Sequence, residues 1–147
     1  VDISDGALEV ASSQDFSEEM ARTGAIAPRF IKADVLADPL EDIGQFDIIV
    51  SNPPYVMDSE KVLMRANVLE HEPHLALFVP DTDPLKFYKA VAVWASALLS
   101  PEGFAVVEIN DALGKETAAV FVEAGFTDVQ IIKDLHEKDR FVRFSRG

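Results

Sequence analysis

Phe46-Asp47-Ile48-Ile49-Val50-Ser51-Asn52-Pro53-Pro54-Tyr55 runs from a β-branched apolar segment straight into two consecutive prolines. The first six residues predict a strand of the kind buried on both faces of a parallel sheet, where a continuous apolar run replaces alternation. The strand has to stop at Asn52. Neither proline has an N–H to give to a ladder, and Pro54 keeps Pro53 extended.

Upstream, Val1-Asp2-Ile3 reads as the end of a strand. Ser4 and Asp5 are good N-cap residues before Ala7, Leu8, Val10 and Ala11 at helical spacing, which predicts a helix to about Arg22 that stops at Gly24. Arg29 to Ala33 reads as a short strand ending at Asp34, and Asp38-Pro39 as a loop. Downstream, a helix is predicted from Met57 to about Val68, with a break at Glu72-Pro73. Asp83-Pro84 sets a proline at the first helical position after a capping Asp, launching a long helix through Phe87, Val91, Trp94 and Leu98 to Pro101. Gly103 to Ile109 is predicted as a strand, Ala112 to Ala124 as a helix closed by Gly125, and Thr127 to Lys133 and Arg140 to Phe144 as strands. The Asp134 to Asp139 connection is too short for a parallel crossover, so the last two strands should pair antiparallel. This alternation predicts an α/β fold in a single domain over residues 1–147: an open, doubly wound, mostly parallel sheet ending in an antiparallel hairpin. Such sheets bind ligands beyond the carboxyl ends of their strands, which is where Asp2, Asp34, Asn52 and Glu108 are predicted to fall.

The 147 residues carry a formal charge of −13, a field that repels phosphate backbones and disfavours nucleic acid as a partner. The same acidity also serves simply to keep a protein dissolved. With no cysteine there is neither a disulfide framework nor a thiolate nucleophile or metal ligand. Apolar runs such as Ala90 to Leu99 fall far short of the roughly 20 residues that span a bilayer. His71, Glu72 and His74 lie close in sequence, but Pro73 forbids the helical face that a zinc-binding histidine pair uses, so no metal is expected. Phe87 and Trp94 are expected in the core rather than as a platform for bases, since no basic patch accompanies them.

Asn52-Pro53-Pro54-Tyr55 has a chemistry of its own. Two prolines stiffen the turn, so the Asn52 side chain and the Pro53 carbonyl are aimed at little entropic cost. Both oxygens accept. A planar NH2 group has two donors in one plane, and accepting both fixes its nitrogen with one face presented to an electrophile. Tyr55 can wall off the planar group. The bland alternative is a loop breaker after a strand.

Phe46 to Tyr55 resembles the amino-methyltransferase signature of class I, Rossmann-like methyltransferases, which act on adenine in DNA, guanine in ribosomal RNA or glutamine in protein. Val1-Asp2-Ile3-Ser4 with Ala7-Leu8 and Ala11, then Glu72-Pro73-His74-Leu75-Ala76-Leu77, Phe87-Tyr88, Glu108-Ile109 and Asp134-Leu135 before Asp139-Arg140 are together similar to the HemK/PrmC family. That family methylates the glutamine of the Gly-Gly-Gln motif in peptide chain release factors. The pattern departs at Phe78 to Pro84, where the family usually has glycines, and at Asn110, where it usually has Gly.

The resemblance implies S-adenosylmethionine as cofactor, a release factor as protein substrate, and a cytoplasmic enzyme with no membrane contact. It implies that Asp2 accepts from the ribose hydroxyls, that Asp34 accepts from the adenine amine, and that Val35 packs on the ring. Asn52 would serve both the methionine part of the cofactor and the glutamine amide. Pro53, acting through its carbonyl, and Tyr55 would complete the catalytic set, with Pro54 lining the acceptor site. Read without the family, Asp2 also suits a helix cap, Asp34 a turn, and Glu72 either a loop-shaping or a surface acid. Glu108 and Arg140 are candidates for an ion pair.

A class I fold normally carries a Gly-rich turn after its first strand. The glycines here are scattered at 6, 24, 44, 103, 114, 125 and 147, and the chain opens on Val1 rather than Met. The first strand, its loop and its helix are therefore expected upstream, in a longer protein. The isolated chain is expected to bind cofactor weakly or not at all, to be inactive, and to expose the sheet edge where those elements should pack. Amine methylation of a nucleic-acid base, which calls for a basic face, and a non-catalytic Rossmann-like binding module remain as other readings.

Overall fold

A computed structural model describes residues 1–63 and 74–147. The chain divides into two compact units, Val1–Ala37 and Asp38–Gly147.

The first unit holds α1 (Asp5–Ser12) and α2 (Ser17–Thr23). Ser4 caps α1, its hydroxyl accepting from the Ala7 N–H at 3.2 Å. The single helix expected to Arg22 is two helices, because side chains between them compete with the ladder. Ser13 Oγ donates back to the Val10 carbonyl at 2.8 Å, and the Asp15 carboxylate takes the Ser17 N–H at 2.9 Å. Gly24, at φ 70°, ends α2 in the left-handed conformation that glycine adopts without a Cβ penalty. The strands expected at Val1–Ile3 and Arg29–Ala33 contract to one parallel bridge, Asp2 to Lys32. In it the Asp2 N–H donates to the Ile31 carbonyl at 3.2 Å and the Ala33 N–H to the Asp2 carbonyl at 3.1 Å.

The second unit contains β1 (Phe46–Ser51), β2 (Val56–Met57), a 3-10 turn (Asp58–Leu63), α3 (His74–Leu77), β3 (Phe78–Val79), α4 (Lys86–Leu98) and β4 (Leu99–Glu108). A second 3-10 turn (Asp111–Leu113), α5 (Gly114–Glu123), β5 (Thr127–Lys133) and β6 (Asp139–Ser145) complete it. The main sheet has the order β1-β4-β6-β5; β1 and β4 are parallel, and β6 runs antiparallel to both β4 and β5. The α/β class and the terminal antiparallel hairpin are thus as the sequence predicts. The small parallel sheet of β2 and β3 is not foreseen by it.

Several helix boundaries differ from expectation: α4 gives way to β4 at Leu99 instead of running to Pro101, and α5 starts at Gly114, with Ala112 in the 3-10 turn before it. Of the helix predicted from Met57, the described part is a 3-10 turn, and residues 64–68 lie outside the described residues. Helix α4 starts at Lys86, not at Pro84; the Asp83 carboxylate that should cap it is taken by Lys89 Nζ at 2.8 Å, so Leu85 occupies the cap position without a side-chain bond.

One face of the sheet carries the core. Ala105, Val107, Val142 and Phe144 point to the side where α4 and α5 pack, and α4 adds Phe87, Tyr88, Val91, Trp94 and Ala95 at helical spacing. Phe144 stacks on Phe121 of α5 with centroids 4.0 Å apart and leans on Phe126 at 4.6 Å. The opposite face is thinly covered, and this corrects the reading of β1. On that face Ile48 is 55% and Val50 76% exposed, and β1 is also the edge strand of this sheet, paired among the described residues with β4 alone. Its other face, Ile49 and Ser51, is half-buried. Among the described residues no helix is long and apolar enough to cross a membrane.

Candidate active site

The parallel register of β1 and β4 matches Ser51 with Val107, so the residues that leave the two strands, Asn52 and Glu108, emerge at the same end of the sheet. Asn52 is exposed, Pro53 is buried, and Pro54 and Tyr55 are half-buried. The Asn52 amide makes no hydrogen bond among the described residues, while the chain around it is tightly held. A proline pair with one ring packed inside turns the asparagine outward, where both its donor and its acceptor stay available.

Tyr55 anchors the loop. Its hydroxyl donates to Glu108 Oε1 at 2.8 Å. Burial, followed by that bond and the charge of Glu108, pushes the Tyr55 phenol up to about 12. Glu108 in turn lies 3.7 Å from Arg140 Nη1, so the ion pair suggested by sequence is present, though Arg140 is closer to Asp134, Nη2 to Oδ2 at 3.2 Å. Burial works to raise the Asp134 carboxyl, but the N–H groups of His136 and Lys138 together with Arg140 hold it below the usual range. The same bond to Asp134 leads in raising Arg140 above its ordinary value.

Beneath the loop sits Asn110, only 5% exposed. Its Nδ2 donates to the Tyr55 carbonyl at 3.1 Å and to Glu60 Oε2 at 2.8 Å, and its Oδ1 accepts from the Ala112 N–H at 2.9 Å. Glu60 Oε2 also accepts the Met57 N–H at 2.8 Å. The Asn110 N–H donates to the hydroxyl of Tyr88, whose phenol burial pushes well up. Asn110 and Glu60 hold the loop through contacts that the sequence reading does not foresee. The available signal was local: Asn110-Asp111-Ala112 after a strand is an N-cap pattern, and Asn110 does cap the 3-10 turn after it.

Of the residues expected to hold the cofactor, Asp2, Asp34 and Val35 belong to the first unit and Asn52 to the second. The Asp2–Lys32 bridge brings the first two to the same end of the paired segments, with both carboxylates exposed. Each closes a short turn: Asp2 Oδ1 accepts from the Ser4 N–H at 2.8 Å and Asp34 Oδ1 from the Leu36 N–H at 2.9 Å. The second oxygen of each has no partner among the described residues, and Val35 is half-buried beside Asp34. Ser4, not Asp2, caps α1. Glu72 and His71 lie outside the described residues, and among the others no group of three or more His, Asp or Glu is placed to hold a metal ion.

Compared with protein-family models, the chain matches none. Curated proteins give clear similarity. The chain is 42% identical over 146 residues to a release factor glutamine methyltransferase of Bacteroides thetaiotaomicron, covering 99% of this chain and 50% of that protein. It is 42% identical over 144 residues to one of Flavobacterium psychrophilum, covering 97% and 48%. Among solved structures, a release-factor-specific protein-(glutamine-N5) methyltransferase of Alicyclobacillus acidocaldarius is similar at 17% identity, over 73% of this chain and 84% of that one, with a TM-score of 0.40. The chain spans about half the length of the curated relatives it matches. Over nearly all of its own length the chain is similar to release factor glutamine methyltransferases.

Proposed function

We propose that the protein containing this chain transfers a methyl group from S-adenosylmethionine to the side-chain amide nitrogen of the glutamine in the Gly-Gly-Gln motif of peptide chain release factors. The observation that carries the reading is an exposed Asn52 amide, unpaired among the described residues, at a strand end, on a loop stiffened by two prolines and tied to β4 through Tyr55. The names of the relatives supply the acceptor class.

When bound, S-adenosylmethionine supplies an electrophilic methyl group on a sulfonium. The donor set of the first unit suits it chemically. Asp2 keeps a carboxylate oxygen for ribose hydroxyls, Asp34 keeps one for an exocyclic amine, and Val35 offers an apolar surface for a ring. At the acceptor, Asn52 Oδ1 and the Pro53 carbonyl accept the two N–H bonds of the glutamine amide and hold its nitrogen with one face open. Pro54 and Tyr55 line the same acceptor site. With the nitrogen held by Asn52 and Pro53, the bound cofactor would supply the methyl group for an in-line displacement, and the proton the nitrogen loses would pass to solvent water. Positioning supplies much of the rate in such an in-line displacement. The net charge of −13 favours a protein over a nucleic-acid acceptor, and the site of action proposed is the cytoplasm.

The test uses the full-length parent with methyl-labelled S-adenosylmethionine and either release factor or nucleic acid. Label in the release factor that disappears in Asn52→Ala is expected. Label in nucleic acid alone, or none in any acceptor, overturns the proposal.

A further inference from the structure

We infer that Asn110 is a positioning residue for the acceptor loop: through its side-chain amide it sets where the Pro53 carbonyl and the Asn52 amide stand. The inference deepens the methyl-transfer reading and rests on it.

Tyr55 to Met57 is fixed from one place, the end of β4. One Nδ2 group of Asn110 donates both to the Tyr55 carbonyl and to Glu60 Oε2, and Glu60 passes the constraint on by accepting the Met57 N–H. The Tyr55 hydroxyl adds a third tie, to Glu108, two residues before Asn110 in the same chain. Asn110 cannot drift, since its Oδ1 is held by the Ala112 N–H and its own N–H by the Tyr88 hydroxyl, in a site that is almost fully buried.

Between the Pro53 carbonyl and the clamped Tyr55 carbonyl lie only the torsions of Pro54 and Tyr55; the ring locks φ of Pro54, and Tyr55 is itself held at its carbonyl by Asn110 and at its hydroxyl by Glu108. A constraint on Tyr55 is therefore transmitted to the two acceptor oxygens with little loss. Without the amide, the Tyr55 carbonyl and Glu60 lose a shared donor in a half-buried place, and the loop can relax by the fraction of an ångström that matters for an aligned displacement. In this role Asn110 has no contact with the acceptor amide or the cofactor themselves; it acts through Tyr55, which lines the acceptor site, and through Glu60.

Asn110→Ser in the full-length parent tests this, because Ser preserves a capping oxygen for Ala112 while removing the NH2 donor. The expected result is a fall in kcat of roughly 10- to 100-fold, the scale on which misplacement of a reacting group is felt, with the calorimetric Kd for S-adenosylmethionine unchanged. Glu60→Ala should reproduce the fall, and Glu60→Gln, which still accepts from both donors, should restore the wild-type rate. Amide hydrogen exchange at Met57 gives a readout independent of activity: faster in Asn110→Ser and Glu60→Ala, and protected in wild type and Glu60→Gln. Unchanged exchange overturns the clamp. Faster exchange with unchanged kcat, or a fall in kcat matched by loss of cofactor binding, overturns the positioning role. A wild-type parent that methylates no release factor sinks the methyl-transfer reading, and with it the role in catalysis, while the exchange data still decide whether the clamp exists.

Discussion

Replacing Tyr55 by Phe removes one hydroxyl and leaves the ring, so the loss isolates the bond from Tyr55 to Glu108. A hydrogen bond to a charged acceptor contributes about 1.5–3 kcal/mol when well formed. This one is short, 2.8 Å, but Tyr55 is only half-buried and the Glu108 side chain is 26% exposed, so water can replace the lost donor. The lower end applies, and we expect Tyr55→Phe to destabilise the chain by about 1.5 kcal/mol, or roughly tenfold in the unfolding equilibrium. Glu108 also faces Arg140 at 3.7 Å, so Glu108→Ala alone reports two interactions. A double-mutant cycle separates them. Urea unfolding of wild type, Tyr55→Phe, Glu108→Ala and the double variant should give a coupling near 1 kcal/mol with unchanged m-values. A coupling below about 0.3 kcal/mol, the range of independent sites, refutes the claim that this bond ties the acceptor loop to β4.

Buried groups lead to two other expected outcomes. Thr117 on α5 is fully buried and its hydroxyl has no partner among the described residues, so Thr117→Val should raise stability by about 1 kcal/mol and the melting temperature by about 3 °C; a lower melting temperature means the hydroxyl is satisfied after all. Both tyrosines of the chain have raised phenols, so alkaline difference spectra of the folded chain should lack the ordinary phenol step near pH 10. For Tyr55 the sign is fixed: the folded state keeps its proton up to about 12, so this stabilisation is full below pH 10 and is lost as pH rises from 10 through about 12. A step of two phenols near pH 10 without unfolding contradicts the burial of both.

How far a feature can be read in advance depends on how local its cause is. The strand Phe46–Ser51 and its stop at Asn52 depend on side chains within the segment and on two prolines, and so does the hairpin, whose short Asp134–Asp139 connection admits one sense of pairing. Gly24 and Gly125 end α2 and α5 with positive φ, as a glycine after a helix suggests. Elements governed by distant partners were not legible. The exposure of Ile48 and Val50 depends on what packs over their face of the sheet, which no property of the strand's own residues reveals. The split between α1 and α2 arises from side-chain bonds of Ser13 and Asp15 that helical periodicity does not register. Asn52 and Tyr55 stood out because they sit in a chemically odd run, whereas Asn110 and Glu60 are ordinary residues whose meaning comes only from contacts some 50 residues away in sequence. Glu108 was visible as a strand-end acid, but its choice of Tyr55 over a fully formed pair with Arg140 was not.

The most direct measurement is mass-spectrometric localisation of the methyl group on release factor treated with the full-length parent, wild type beside Asn52→Ala. The expected result is a single added methyl on the side-chain nitrogen of the Gly-Gly-Gln glutamine with wild type, and its disappearance in Asn52→Ala while S-adenosylmethionine still binds. A methyl on any other atom, or the same yield from the variant, contradicts methyl transfer at a nitrogen held by Asn52.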